Sequence, residues 1–214
     1  INPNTSLATT AMMTGIARAC LPDGFLVEGV TARVGPPMIL DAEALAASEA
    51  GVIEMAMARS DQFDGILIAA FGDPGLGQLR TLCDLPVSGL CEASMQEAAA
   101  AGKRFGIATV TPQLMESFSQ RANDLGLGHL YTGTRLPQGN PQDLVAHPER
   151  LADALERAVR ECHLLDGAQA VIIGGGPLGQ AANSLQRSSA ISVVAPIPAA
   201  IGELVAALSA NDRI

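Results

Sequence analysis

Two stretches of this chain repeat one design. The first is Gly65-Ile66-Leu67-Ile68-Ala69-Ala70-Phe71-Gly72-Asp73-Pro74-Gly75-Leu76-Gly77-Gln78, and the second is Ala170-Val171-Ile172-Ile173-Gly174-Gly175-Gly176-Pro177-Leu178-Gly179-Gln180. Each has a short apolar run, small residues at its end, a proline, and then Leu-Gly-Gln. An apolar run of this length without polar alternation reads as a strand covered on both faces. The Gly/Pro turn and the amphipathic segment after it complete a strand–loop–helix unit. In open α/β sheets, ligands bind at loops on the carboxyl ends of strands.

The rest of the chain falls into order around this pair. Strand-like segments are expected at Ile1, Phe25 to Thr31, Ile66 to Ala70 and Pro86 to Leu90, with helices at Leu7 to Cys20, Asp41 to Arg59, Leu76 to Cys83 and Glu92 to Ala101. The order then restarts, with strands at Phe105 to Thr111, His129 to Arg135, Val171 to Ile173 and Ile191 to Ala195. Their helices are Gln113 to Leu125, Pro148 to Leu165 and Pro198 to Ser209, and Leu136 to His147 reads as a loop rich in Pro, Gly and Asn. Spacing supports a duplication: Thr5 and Ala70 are 65 residues apart, and Thr111 and Gly175 are 64 apart. The expected fold is therefore α/β, with two pseudo-symmetric domains and an active-site cleft between them. Each domain holds a mainly parallel four-stranded sheet flanked by helices. The expected division is 1–92 plus 198–214 for the first half and 93–197 for the second.

Bulk properties narrow the function. The net charge of −9, without a Lys/Arg cluster, argues against nucleic acid and against an anionic membrane surface as partners. No apolar stretch reaches the roughly 18 residues of a spanning helix. None of the four cysteines, Cys20, Cys83, Cys91 and Cys162, sits in a CxxC or metal-ligand spacing. Cys20, Cys83 and Cys162 continue apolar helix faces and are expected in the core. A reduced, cytoplasmic protein is the simplest setting. No cofactor or metal is implied, since neither glycine loop matches GxGxxG or a P-loop.

Asn2-Pro3-Asn4-Thr5-Ser6, Phe71-Gly72-Asp73-Pro74-Gly75-Leu76 and Ile172-Ile173-Gly174-Gly175-Gly176 resemble the aspartate/glutamate/hydantoin racemase superfamily. The nearest branch is the hydantoin and allantoin racemases, and the resemblance covers essentially the whole chain. It implies two pseudo-symmetric α/β domains, a homo-oligomer, and a small carboxylate or cyclic imide/ureide bound in the cleft. It also implies racemisation by two cysteines that move the α-proton from opposite faces. The positions of those cysteines are Ala70 and Gly175 in this chain, and neither side chain can titrate. The same scaffold in arylmalonate decarboxylases, as the resemblance implies, keeps one cysteine and stabilises an enediolate. Three readings stay open: a racemase-family protein, a lyase or decarboxylase on that scaffold, and a non-catalytic small-molecule binder.

The substrate-binding positions carried over are Asn4, Thr5, Ser6, Phe71, Gly72, Thr109, Thr111 and Gly176. Thr5, Ser6, Thr109, Thr111 and the N–H groups at Ala70-Phe71 and Gly175-Gly176 are expected as donors to an anion. One of Asn4, Thr5 and Ser6 is also expected to cap the first helix. Asp73 and Cys91 are further candidates. Asp73 reads either as a titrating group or as a turn or cap residue, and Cys91 begins a helix whose N-terminus would lower its pKa. Arg33 and Arg80 read either as partners for a substrate carboxylate or as surface residues. His129, His147, His163 and Tyr131 belong to no metal or catalytic constellation.

Overall fold

The computed structural model describes residues 1–211 and divides into two compact units, Ile1–Ala93 with the segment from Ile197, and Ser94–Pro196. The first unit begins with an extended N-terminal segment and helix α1 (Leu7–Cys20), followed by α2 (Ala42–Ala47) and α3 (Glu49–Met57). Next come β1 (Ile66–Ile68), α4 (Leu76–Leu82), β2 (Val87–Gly89) and the start of α5 (Leu90–Ala98). The second unit holds β3 (Phe105–Ala108), α6 (Met115–Asp124), β4 (Tyr131–Arg135), α7 (Pro141–Ala146) and α8 (Pro148–Leu164). It continues through β5 (Ala170–Ile173), α9 (Gly179–Ser188) and β6 (Ser192–Val194), and α10 (Pro196–Asn211) closes the described chain.

All ladders are parallel. In the second unit the strand order is β4-β3-β5-β6. In the first unit β1 pairs with β2, in register Ile66 with Val87 and Ile68 with Gly89. The N-terminal segment extends this pairing on the far side of β1: the Ile1 nitrogen donates to Leu67 O and Ala69 N–H donates to Ile1 O. Asn2 in turn bridges Thr31 in parallel. Numbered by their order along each unit, both sets of extended segments therefore run 2-1-3-4. Two units with one strand order and matched spacing are what a duplicated βα unit produces.

Periodicity explains the packing. Leu151, Ala154, Leu155, Ala158, Val159 and Cys162 recur at helical spacing on α8 and are buried. This helix packs on β3, β4 and β5. Val52, Ala56, Ile66, Ile68, Leu76, Leu79 and Val87 form a core cluster of the first unit. Each Leu, Ile or Val removed from water in this way contributes about 1.5–3 kcal/mol.

Several expectations need correction. Phe25 to Thr31 is no regular strand, since only its end bonds, through Asn2 N–H to Val30 O and Ala32 N–H to Asn2 O. Leu26 is 98% exposed there, as suits an edge segment with nothing packed over it. The expected helix Asp41 to Arg59 is two helices, because Ser48 turns its hydroxyl back onto Leu45 O at 2.7 Å and interrupts the ladder. The Leu136 to His147 loop contains α7, which Asn140 and Pro141 start in the usual cap and first-turn positions. Cys20 is exposed at the end of α1 and belongs to no core, and Cys83 is only half-buried.

Candidate functional site

The N-terminal residues Asn2, Asn4 and Ser6 are first of all a hydrogen-bonded scaffold. Asn4 Oδ1 accepts from Ser6 N–H at 2.9 Å and from Asn2 Nδ2 at 2.9 Å. A backbone N–H can only donate, so this contact fixes which end of the Asn4 carboxamide is oxygen. The Asn4 NH2 group then has no partner among the described residues and remains a donor. Asn2 is held in turn by Asn4 N–H, at 3.2 Å from Asn2 Oδ1, and donates to Thr10 Oγ1 at 2.9 Å. Ser6 is the cap of α1: its Oγ accepts from Thr9 N–H at 3.2 Å and from Thr9 Oγ1 at 3.0 Å. Since Ser6 Oγ accepts both contacts, its own hydrogen is left to donate. Thr5 bonds through its backbone to Pro36 O, and its hydroxyl has no hydrogen bond among the described residues.

The loop after β1 is fixed by Asp73. This residue holds a left-handed φ of 52°, a conformation that Asp tolerates better than most side chains. Its carboxylate accepts from Cys91 N–H at 2.9 Å and from Glu92 N–H at 2.7 Å. Those are the second and third residues of α5, the groups that an N-cap side chain would serve. The residue at the cap position is Gly89, which has no side chain to offer. Asp73, 18 residues earlier, supplies the cap instead. A Cβ on Gly89 would lie 2.3 Å from Asp73 Cγ, so the glycine is what lets the carboxylate in. Asp73 is thus a cap, but of N–H groups on a later helix and not of the helix that its own loop opens.

Cys91 is fully buried, and Glu92 is nearly so. Arg80 Nη1 donates to Glu92 Oε1 at 2.9 Å, while Arg80 Nε and Nη2 both donate to Val87 O. Glu203 on α10 accepts from Ser88 Oγ and stands 4.0 Å from Arg80 Nη2. Arg80 thus ties α4 to β2, α5 and α10. Arg33 is exposed.

Ala70 and Gly175, where the resemblance implies cysteines, differ in kind. Ala70 ends the first strand–loop unit and is half-buried beside buried Phe71 and half-buried Gly72. Gly175 follows β5 with φ 140° and ψ 128°, in the region that glycine alone adopts readily. A Cβ there would stand 3.3 Å from Leu178 Cδ1 and Cγ. The loop at Gly175 is therefore shaped for glycine in its backbone. Gly176 is buried, and the Gly175 and Gly176 N–H groups carry no hydrogen bond among the described residues.

Thr109 and Thr111 join the ends of β3 and β5. Thr109 Oγ1 donates to Gly174 O at 2.6 Å and lies 2.9 Å from Thr111 Oγ1. Both residues are buried. Below this end of the sheet, Cys162 is buried against Ile107 O, and burial pushes its thiol up to about 12, which makes it a core residue without nucleophilic character. His163 and His147 bond backbone carbonyls, and His129 is exposed. Tyr131 Oη pairs with Thr134 Oγ1 at 2.6 Å. Among the described residues no three His, Cys, Asp or Glu side chains come together to hold a metal, and no helix is long and apolar enough to cross a membrane.

Comparison with known proteins agrees with this geometry. The family model described as Asp/Glu/Hydantoin racemase matches residues 1–204. The chain belongs to this family. It is 27% identical over 202 residues to the hydantoin racemase of Pseudomonas sp. (strain NS671), covering 94% of this chain and 81% of that one. The allantoin racemase from Klebsiella pneumoniae superposes with a TM-score of 0.89 at 30% identity, over 98% of this chain and 86% of that chain. The allantoin racemase from Pseudomonas fluorescens has a TM-score of 0.90 at 21% identity, a likeness of fold, over 98% of this chain and 89% of its own.

Sequence reasoning missed the Asp73–Gly89 pairing and the Arg80 tie. The signal for the first was available in principle: a glycine preceding a helix leaves α5 without a cap of its own. What the sequence lacked was the spatial closeness of residues 18 apart.

Proposed function

We propose that this chain binds a small carboxylate or a cyclic imide or ureide of the hydantoin kind at the strand-end loops of its units, and that it does so without the two-thiol racemisation that its family resemblance implies. The observation that carries this reading is the pair Ala70 and Gly175. One side chain is a methyl group and the other a hydrogen, and neither can take or return a proton. The binding half of the reading rests on what the loops retain: the Asn4 amide donors, the Ser6 and Thr5 hydroxyls, and the Gly175 and Gly176 N–H groups. Donors held in place by a scaffold suit a ligand carbonyl or carboxylate, because their orientation is set before the ligand arrives. Family membership and the hydantoin and allantoin racemase relatives support the ligand class.

The test is to follow the α-proton of hydantoins, allantoin, and amino and malonic acids by NMR in D2O with the protein present. Ligand resonances that broaden or shift while the α-proton persists support the reading. Exchange of the α-proton would show a base other than the absent thiols and return the chain to the enzymes. Loss of carbon dioxide from a malonic acid would assign it to the lyases instead.

A further inference from the structure

The hydroxyl pair at the ends of β3 and β5 has a definite polarity. Gly174 O is a carbonyl and can only accept, so Thr109 spends its one hydrogen on that contact at 2.6 Å. The 2.9 Å contact between Thr109 and Thr111 must then be donated by Thr111. The Thr111 hydroxyl has no other hydrogen to offer. The hydroxyl oxygen has no further partner among the described residues, so in this arrangement lone pairs are what the side chain presents to a ligand; the residue as a whole is 7% exposed. In this arrangement neither hydroxyl has a hydrogen left for an anion: one goes to Gly174 O and the other to Thr109 Oγ1.

From this polarity we infer that Thr111 is a specificity-determining acceptor that selects ligands offering an N–H and disfavours a carboxylate at that position. The inference rests on the proposed binding reading and deepens it, choosing between the two ligand classes left open there. A carboxylate has only lone pairs to set against those of Thr111, and desolvating both without a hydrogen between them is costly. A cyclic ureide or imide brings its ring N–H to the same oxygen and satisfies it. Donors for the ligand's carbonyl groups are left to other groups of the same unit, such as the Gly175 and Gly176 N–H groups.

The test compares hydantoin, 1,3-dimethylhydantoin and malonate as ligands by NMR titration of the wild type, Thr111→Val and Thr111→Ser. Valine keeps the branched shape and removes the oxygen, and serine restores the oxygen. The expected result is that Thr111→Val weakens hydantoin by about three- to tenfold, the loss of one neutral hydrogen bond, and leaves malonate unchanged or tighter. Thr111→Ser recovers hydantoin binding, and the preference for hydantoin over its dimethyl analogue shrinks in the valine variant. If Thr111→Val leaves hydantoin unchanged, or weakens malonate by as much, the acceptor assignment is wrong while the binding reading stands. If the wild type binds neither hydantoin nor malonate, the binding reading itself falls and takes this inference with it.

Discussion

Replacing Gly89 by alanine should cost far more than a methyl group at a helix start usually does. Gly89 does not have a positive φ, so its backbone accepts alanine. The cost comes from the neighbour: the new Cβ would lie 2.3 Å from Asp73 Cγ and 2.5 and 2.7 Å from the two carboxylate oxygens. These are the oxygens that hold Cys91 N–H and Glu92 N–H at 2.9 and 2.7 Å. Moving the carboxylate away breaks both of these hydrogen bonds between buried groups. A lost cap is worth about 0.5–2 kcal/mol and a hydrogen bond to a charged group about 1.5–3 kcal/mol, which together put Gly89→Ala at about 2–4 kcal/mol. Asp73→Ala removes the same cap and also vacates the space. The two costs must therefore not add: in the Asp73→Ala background, Gly89→Ala should cost less than about 1 kcal/mol, a coupling of about 1–3 kcal/mol. Urea unfolding followed by far-UV circular dichroism gives the cycle, and amide exchange at Cys91 and Glu92 localises the effect. A neutral Gly89→Ala, or additive costs, would refute the capping account.

Position 175 should resist a cysteine where position 70 accepts one. At a φ of 140° any side chain is strained by about 1–3 kcal/mol, and Leu178 stands 3.3 Å from the new Cβ, so Gly175→Cys should lower the urea midpoint while Ala70→Cys leaves it nearly unchanged. Equal midpoints would mean that the loop relaxes freely. The bidentate pair of Arg135 and Asp166, at 2.8 and 2.6 Å, holds the Asp166 carboxyl below its ordinary value, chiefly through the hydrogen bonds from Arg135. A depressed carboxyl pKa contributes stability that is present above the unfolded value of about 3.9 and lost as pH falls through the lower folded value. The stability gap between wild type and Asp166→Asn should accordingly be constant near neutrality and close below about pH 4; a gap that is flat through that range would contradict the assignment.

Much of the fold was legible because the governing pattern is local. Apolar runs at β1, β3 and β5 and helical spacing on α8 declare themselves within a few residues. The segment Phe25 to Thr31 misled because β-branched and aromatic residues favour a strand, whereas only partners make one, and beyond Thr31 this edge has few. Ser48 and Asn140 are also short-range signals, a back-bonding hydroxyl and a cap, and were outweighed by the apolar spacing and the loop composition around them. The site was legible in its residues and less so in its chemistry. Which hydroxyl donates at Thr109 and Thr111 depends on Gly174, which is 65 residues from Thr109 and reaches it only through the sheet. Arg80 looked available for a ligand because nothing in the sequence places Glu92, Val87 O and Glu203 around it.

The central claim is that this member of the family binds its ligand without moving the α-proton by paired thiols. Proton exchange in D2O tests it most directly, with optically pure 5-substituted hydantoins and allantoin followed by NMR at protein concentrations where ligand signals report binding. The account predicts perturbed ligand resonances, an α-proton that stays in place, and no loss of optical purity beyond the protein-free control. Exchange with racemisation by the wild-type chain, with alanine at 70 and glycine at 175, would contradict it.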